Sequence, residues 1–218
     1  MHTGCSAKER FMTPEQVARI NRELAGLTPA HIIHKVFEAT RPEKPIIASS
    51  FGPNSAALLH HVLSRYPDTE VVLADYGAIP RENWEYASEL SEVLGFVLRL
   101  FEPEKPLSKK ERWILENGSA KERLAITGPR KLEAMLAALA ECKASVVFYG
   151  VRWPQNRGWE AMEPLMMHPR GFVCAYPLWE KTHAEIASHL DANGLPKHPA
   201  GLPGDRPDTF PLHPMGAR

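Results

Sequence analysis

The first residues that could bind a ligand lie in a turn between an apolar run and an apolar helix. The run is PIIAS at 45–49, and a helical pattern resumes near Asn54 and Ser55. Between them, Gly52 lets a ligand come close to the backbone, and the amides at a helix start attract anions. The sequence therefore predicts a phosphate site, although an ordinary turn capped by Asn54 or Ser55 has the same residue types.

A carboxylate and a basic group follow two later apolar runs. Asp75 ends EVVLAD and can hold a ribose hydroxyl, a metal ion or an attacking group, or it can cap a turn. Arg152, Gln155 and Arg157 follow ASVVFYG at a spacing that does not fit one helix face. Such a loop suits guanidinium groups that converge on phosphate or sulfate, and a solvated basic surface is the alternative. Asp75 and Arg152 are the candidates for a catalytic role, which the sequence otherwise leaves unknown.

Cysteine and histidine residues form no recognisable metal or redox site. Cys5, Cys142 and Cys174 are far apart and contain no CxxC pair, so neither a disulfide framework nor a zinc or iron–sulfur site is expected. His60 and His61 lie on the helix after the turn, and we expect one of them to face the core and the other to face solvent. We predict no metal cluster among the ten histidines.

Aromatic and basic residues flank the loop that follows ASVVFYG. Trp153, Trp159 and Trp179 can stack on adenine or pack against neighbouring residues. Arg130 and Lys131 are predicted at the start of another helix, whose amides would add positive potential.

Strands and helices that alternate along the chain must position these residues. Helical patterns run from Thr13 to about Ala25 and from Pro29 to about Ala39. The later elements are predicted strands at 45–49, 70–75, 95–101 and 144–150, with helices at 54–65, 82–94 and 129–141.

The remaining segments are less regular. A charged stretch predicts a short helix at 108–116 and a mobile segment after Gly118. A last strand within 171–178 precedes a helix that begins with a capping box of Thr182 and Glu185.

This alternation predicts an α/β fold with an open parallel sheet and helices on both faces. Ligands of such sheets bind beyond the carboxyl ends of the strands, where the strand order reverses. Because the turn at 50–55, Asp75 and Arg152 all follow predicted strands, we expect them to meet at that edge.

Length and charge limit the classes of function. The 218 residues fit one nucleotide-binding domain at 45–200, with N-terminal helices at 1–44 packed on it and a Pro/Gly-rich tail at 201–218. The 26 basic and 26 acidic residues give no overall field toward nucleic acid or membranes. No apolar run approaches the roughly 18 residues of a membrane span, and no secretory signal is visible. We therefore expect a cytoplasmic protein.

The turn resembles a PP-loop, and it fits neither a Walker A loop nor a dinucleotide fingerprint. Residues 50–55 keep the Ser, Gly and Ser of the SGGxDS signature, in the Ser-Phe-Gly form of the PAPS/APS reductase branch of the adenine nucleotide alpha hydrolase superfamily. Asp75-Tyr76-Gly77 resembles the family's Asp-Thr-Gly, and Ala134 replaces the Pro of its Arg/Lys-x-x-Pro-Leu helix. The segment at 148–159 is similar to Gly-x-Arg-Arg-x-Gln-Ser, and 193–199 to a late Gly-Leu-x-x-His-Pro. The resemblance covers roughly residues 20–200.

This resemblance implies a PP-loop, Rossmann-like fold that binds ATP or PAPS, with Mg²⁺ as a possible companion of the nucleotide. Trp153 and Asn156 depart from the family's second Arg and its Ser. The predicted nucleotide-binding residues are Ser49, Ser50, Phe51, Gly52, Asn54, Ser55, Asp75, Tyr76, Gly77, Gly150, Arg152, Gln155 and Arg157.

The cysteine motifs of this family's reductases are missing from this sequence. Its nucleophilic cysteine lies in a C-terminal Glu-Cys-Gly-Leu-His segment, which this sequence lacks, and Gly128-Pro129 stand where the first iron–sulfur cysteines would fall. Three hypotheses follow: a PP-loop enzyme that cleaves ATP or transfers its adenylyl group, a divergent reductase that uses Cys174 or a partner thiol protein, and a non-catalytic nucleotide-binding subunit. A homodimer is compatible with each of them.

Overall fold

The computed structural model describes residues 12–24, 26–40, 44–152 and 162–201. The helices are α1 (Pro14–Leu24), α2 (Pro29–Ala39), α3 (Ser55–Leu63), α4 (Arg81–Leu94), α5 (Lys109–Asn117), α6 (Ala120–Glu141) and α7 (His183–Ala192). The strands are β1 (Ile46–Ala48), β2 (Val71–Ala74), β3 (Leu98–Phe101), β4 (Val146–Phe148), β5 (Leu165–Met167) and β6 (Val173–Ala175).

The strands form one sheet in the order β3-β2-β1-β4-β6-β5. All neighbouring pairs are parallel except β5, which is antiparallel to β6. The predicted α/β sheet is confirmed, with one antiparallel edge strand that the sequence did not reveal. The chain runs outward from β1 through β2 to β3 and then returns to β4 on the other side of β1. This reversal places the carboxyl ends of β1 and β4 side by side.

Both faces of the sheet are covered by helices. One core cluster joins α1, α2, α3, α4 and α7 to inward residues such as Ile47, Leu73 and Phe148. The other joins α6 to residues of the opposite face, including Val72 and Val147. The central strands are buried on both sides, as the continuous apolar runs of a parallel sheet predict.

The segment after Gly118 is helical, so the prediction of a mobile segment is wrong. Ser119 accepts a hydrogen bond from the Glu122 amide, and the Glu122 carboxylate accepts one from the Ser119 amide. This capping box starts α6, which runs for 22 residues and contains Pro129 in its interior. Arg130 and Lys131 therefore lie in the middle of a helix, and its amide dipoles add no charge at these residues.

No helix among the described parts of the chain is long and apolar enough to cross a membrane.

Candidate functional site

The turn after β1 is held by its own serines. Ser49 Oγ donates to Ser55 Oγ at 2.8 Å and accepts from the Phe51 amide at 3.0 Å. The φ of Phe51 is 55°, a left-handed conformation that disfavours large side chains. The Phe51 ring is buried and stacks near Phe96, with ring centroids 6.2 Å apart. The aromatic residue at the family's first Gly position therefore anchors the turn in the core.

Gly52 faces open space. A Cβ placed on it would meet no atom of the described chain within 4 Å, and its φ lies outside the left-handed region. The fold thus places no demand for glycine at this position. Half-buried Gly52 lies just before the N-terminus of α3, where the helix dipole favours an anion. Its carbonyl accepts a hydrogen bond from the Ser55 amide at 3.0 Å.

Asn54 joins the turn to the loop after β4. Its Nδ2 donates to the Gly150 carbonyl at 3.1 Å, and its Oδ1 accepts from Arg152 Nε at 3.3 Å. Asn54 occupies the N-cap position of α3 without a side-chain capping bond, so the alternative of a turn capped by Asn54 is not observed. Its side chain is used to connect two loops.

Arg152 is buried under this connection. Its side chain is 1% exposed, and Nη1 donates to the carbonyl of Lys181, just before α7, at 2.7 Å. The guanidinium group is therefore engaged with Asn54 and with backbone. In this arrangement Arg152 braces the turn and adds positive charge behind it.

Asp75 and its loop lie at the same sheet edge as the turn. Ala48 pairs with Val72, so β1 and β2 end close together. Asp75 Oδ1 accepts from the Gly77 amide at 2.7 Å, which closes a tight turn. Gly77 has a φ of 86°, and a Cβ there would lie 2.9 Å from Leu107 Cδ1, so this position requires glycine.

Lys131 is a further site residue, placed here by α6. Its side chain is 6% exposed, and its Nζ lies 4.3 Å from the centroid of the Tyr76 ring. Burial lowers the pKa of Lys131 to about 8, an effect that nearby Asp75 opposes. Burial and Asp75 together raise the pKa of Tyr76. The lysine of the Arg/Lys-x-x-Pro-Leu pattern was the sequence signal for this contact.

A cleft of about 300 Å³ borders the Asp75 loop, on the side of β3. Arg130 forms part of its wall and donates to the carbonyls of Tyr76 at 3.0 Å and Lys105 at 2.8 Å. The cleft lining carries both signs of charge: Gly77, Glu102, Pro103, Glu104, Pro106, Leu107, Arg112 and Arg130.

Ser50 is connected to residues far along the chain. Its carbonyl accepts from Asn83 Nδ2 at 2.7 Å, and Asn83 Oδ1 lies 3.2 Å from His198 Nε2. His198 belongs to the late Gly-Leu-x-x-His-Pro motif. Neither Asn83 nor His198 was predicted as a site residue, because only the motif itself marked this region.

Part of the predicted site lies outside the described residues: Gln155 and Arg157, together with Trp153 and Trp159. Trp179 is described, and it is half-buried between the two core clusters. Of the two roles that the sequence left open for Trp179, the structure therefore shows packing.

The described cysteines are poorly suited to nucleophilic attack. Cys174 is fully buried in β6, and burial raises the pKa of its thiol to about 12. Half-buried Cys142 lies 3.3 Å from Arg99 Nη1, yet burial still raises its pKa. The geometry thus weakens the hypothesis that Cys174 serves as a reductase nucleophile.

The histidine pair does not divide between core and solvent, so that prediction is wrong. His60 and His61 are both half-buried because α7 packs over them. His60 Nδ1 lies 3.1 Å from His189 Nε2, and the rings of His61 and His189 stack at 4.1 Å. Burial first, and His189 second, lower the pKa of His61 to about 4. Within the described ranges, no group of three or more His, Cys, Asp or Glu residues is arranged to hold a metal ion.

Comparison with known proteins identifies relatives of this chain. Residues 44–200 match the phosphoadenosine phosphosulfate reductase domain family. Phosphoadenosine 5'-phosphosulfate reductase of Sodalis glossinidius is 29% identical over 198 residues, which cover 89% of this chain and 80% of the relative. The enzyme of that name from Salmonella choleraesuis is 29% identical over 186 residues, covering 84% of this chain and 75% of the relative.

Two solved structures share the fold. The phosphate complex of Candida auris PAPS reductase superposes with a TM-score of 0.65 at 17% identity, covering 86% of this chain and 90% of that one. Candida glabrata FMN adenylyltransferase in complex with FMN and the ATP analog AMPCPP gives a TM-score of 0.56 at 16% identity. That match covers 86% of this chain and 61% of the other.

Proposed function

The chain belongs to the phosphoadenosine phosphosulfate reductase domain family, and on that premise we propose that it binds an adenine nucleotide at the turn after β1 and acts on its phosphoanhydride without a cysteine nucleophile. The observation that carries the proposal is the open space at Gly52. An anchored Phe51 and an unobstructed Gly52, just before a helix N-terminus, leave room for a phosphate to approach the backbone of the turn.

Charges around the turn support the stabilisation of a phosphate during reaction. The N-terminus of α3 follows the turn, Arg152 donates to Asn54 in the turn, and Lys131 lies next to Tyr76 in the Asp75 loop. Such fixed dipoles and charges stabilise negative charge that develops on a leaving pyrophosphate or an adenylyl group. They require no covalent intermediate, in keeping with the buried thiol of Cys174.

Magnesium fits this site as a companion of the nucleotide. Mg²⁺ is usually held by one or two carboxylates together with substrate phosphates. Asp75 is the carboxylate at the carboxyl end of β2, with Oδ1 engaged by the Gly77 amide. When bound, the ion would neutralise charge on the phosphates.

A second candidate function is sulfonucleotide reduction. It is favoured by the name that the relatives share, and it would use Cys174 or a partner thiol, of which the burial of Cys174 favours the partner thiol. A non-catalytic nucleotide-binding subunit is the third outcome.

One set of incubations separates these functions. The protein is mixed with ATP and Mg²⁺, or with PAPS and reduced thioredoxin, and the products are measured. Release of AMP or pyrophosphate supports the first proposal, and sulfite with 3'-phosphoadenosine supports the second. Saturable nucleotide binding without turnover indicates a binding subunit, and the absence of any nucleotide binding overturns the proposal.

A further inference from the structure

The late His-Pro motif reaches the phosphate turn through a single asparagine. His198 follows α7, and Ser50 precedes α3, yet Asn83 on α4 contacts both. We propose that Asn83 and His198 are positioning residues that hold the turn in the conformation that receives the nucleotide. The proposal rests on the function proposed above.

A chain of hydrogen bonds, here called the relay, runs from Ala200 through His198 and Asn83 to Ser50. Its donors and acceptors can be assigned in only one direction. The amide of Ala200 donates to His198 Nδ1 at 3.1 Å, so Nδ1 carries no proton in the neutral ring. His198 Nε2 therefore carries the proton and donates to Asn83 Oδ1. Asn83 Nδ2 is then free to donate to the Ser50 carbonyl. A flipped Asn83 amide would oppose donor to donor at His198 and acceptor to acceptor at Ser50.

Packing fixes the His198 end of the relay. The ring is buried and meets the Tyr86 ring edge-on, with centroids 5.1 Å apart and an angle of 89°. Tyr86 is also buried, and its hydroxyl donates to the Pro196 carbonyl at 2.9 Å. The segment around His198 is thus attached to α4, the same helix that carries Asn83.

The Ser50 end controls a strained position. Ser50 directly precedes Phe51, whose φ of 55° must be maintained by its surroundings. The bond from Asn83 fixes the carbonyl of the peptide group that links Ser50 to Phe51. On the other side of the turn, Asn54 makes the equivalent connection to Gly150. The turn is therefore held from two opposite sides by two asparagines.

Two substitutions at His198 distinguish the roles of its two ring nitrogens, Nδ1 and Nε2. In His198→Gln, the side-chain amide can replace the Nε2 donor and keep the bond to Asn83. In His198→Asn, the shorter amide can replace only the Nδ1 acceptor, and the link to Asn83 is lost. Asn83→Leu removes the polar atoms of the relay while keeping the branched shape of the side chain. Asn21→Leu is the matched control, because Asn21 is a buried asparagine bonded to Leu165, away from the turn.

The first readout is amide hydrogen exchange of residues 49–55 without nucleotide, and the second is the affinity for ATP. We expect Asn83→Leu and His198→Asn to speed exchange in the turn and to weaken ATP binding about tenfold, which is about 1.4 kcal/mol. His198→Gln should restore both values to near those of the parent protein, and Asn21→Leu should leave both unchanged. Unaltered turn exchange in folded Asn83→Leu overturns the positioning role.

The two readouts also separate this inference from the function on which it rests. A parent protein that binds neither ATP nor PAPS refutes the proposed function, whereas the exchange data still decide whether the relay holds the turn. Equal losses in His198→Gln and His198→Asn would contradict the assignment of the donor to Nε2.

Discussion

The turn after β1 and the helical hairpin of α5 with the first half of α6 border the same sheet edge but are built differently. Hydrogen bonds with the loop after β4, with α4 and within the turn fix residues 49–55. The helix α3, which follows the turn, is largely buried. In the hairpin, at 108–128, no described residue is fully buried, and Trp113 is 62% exposed. The difference predicts that the turn, which we propose binds phosphate, is the rigid half of the candidate site, and that the half near the Glu102 cleft is less stable locally.

The largest contrast concerns stability. Leu58→Ala, in the buried part of α3, should lower the free energy of unfolding by about 2–5 kcal/mol because it leaves a cavity. Trp113→Ala, in the hairpin, should change it by less than about 1 kcal/mol. Urea denaturation of both variants measures the difference. Similar losses would mean that the two regions are equally packed.

Acid should weaken the rigid half. Since the folded-state pKa of His61 is about 4 and its ordinary value is 6.5, the unfolded chain binds more protons between these values. Stability from this group is complete above pH 6.5 and falls as the pH decreases toward 4, by up to about 3 kcal/mol. Thermal melts across this range test the prediction. His61→Gln should flatten the curve, whereas His34→Gln, on the exposed face of α2, should not.

The affinity for nucleotide should depend directly on the turn after β1. Gly52→Val places a side chain where the described chain leaves open space, so the fold should persist while ATP binding weakens at least tenfold, about 1.4 kcal/mol. Titration calorimetry gives the affinity, and a thermal melt checks folding. If folded Gly52→Val binds ATP with unchanged affinity, the phosphate does not bind at this turn.

The smallest expected effect is local to the hairpin. Ser119→Ala removes the N-cap of α6 and should lower the free energy of unfolding by about 1 kcal/mol. Amide hydrogen exchange should become faster at 119–123 and stay unchanged at 49–55. Hydrogen exchange with peptide resolution measures this effect. Faster exchange in the turn as well would show that the hairpin and the turn open together.

Local patterns predicted most of the framework. The β-branched runs at 70–75 and 95–101 contain β2 and β3, and the capping box of Thr182 begins α7 as expected. The strand β5 was missed because its residues, Leu165, Met166 and Met167, include none of the β-branched types that marked the other strands. The start of α6 was missed because the segment after Gly118 was predicted to be mobile, although the Ser119 and Glu122 pattern was present in the sequence.

The site was predicted less completely, because its connections span the chain. Gly52 and Asp75 became candidates because they follow predicted strands. The bond between His198 and Asn83 joins residues 115 positions apart, and no local pattern identifies such a partner. The burial of Arg152 and Lys131 depends in the same way on how distant elements pack.

The buried ring of Phe51 has a consequence for the energetics of any guest at this turn. Because the ring is fixed in the core, the main chain beside it loses its conformational entropy when the protein folds. A nucleotide that binds at this turn, as proposed above, would meet a main chain that is already ordered and would not bear that entropic cost again. A small residue in place of the ring would shift the cost to the binding step, so that affinity would fall although no atom in contact with the guest had changed.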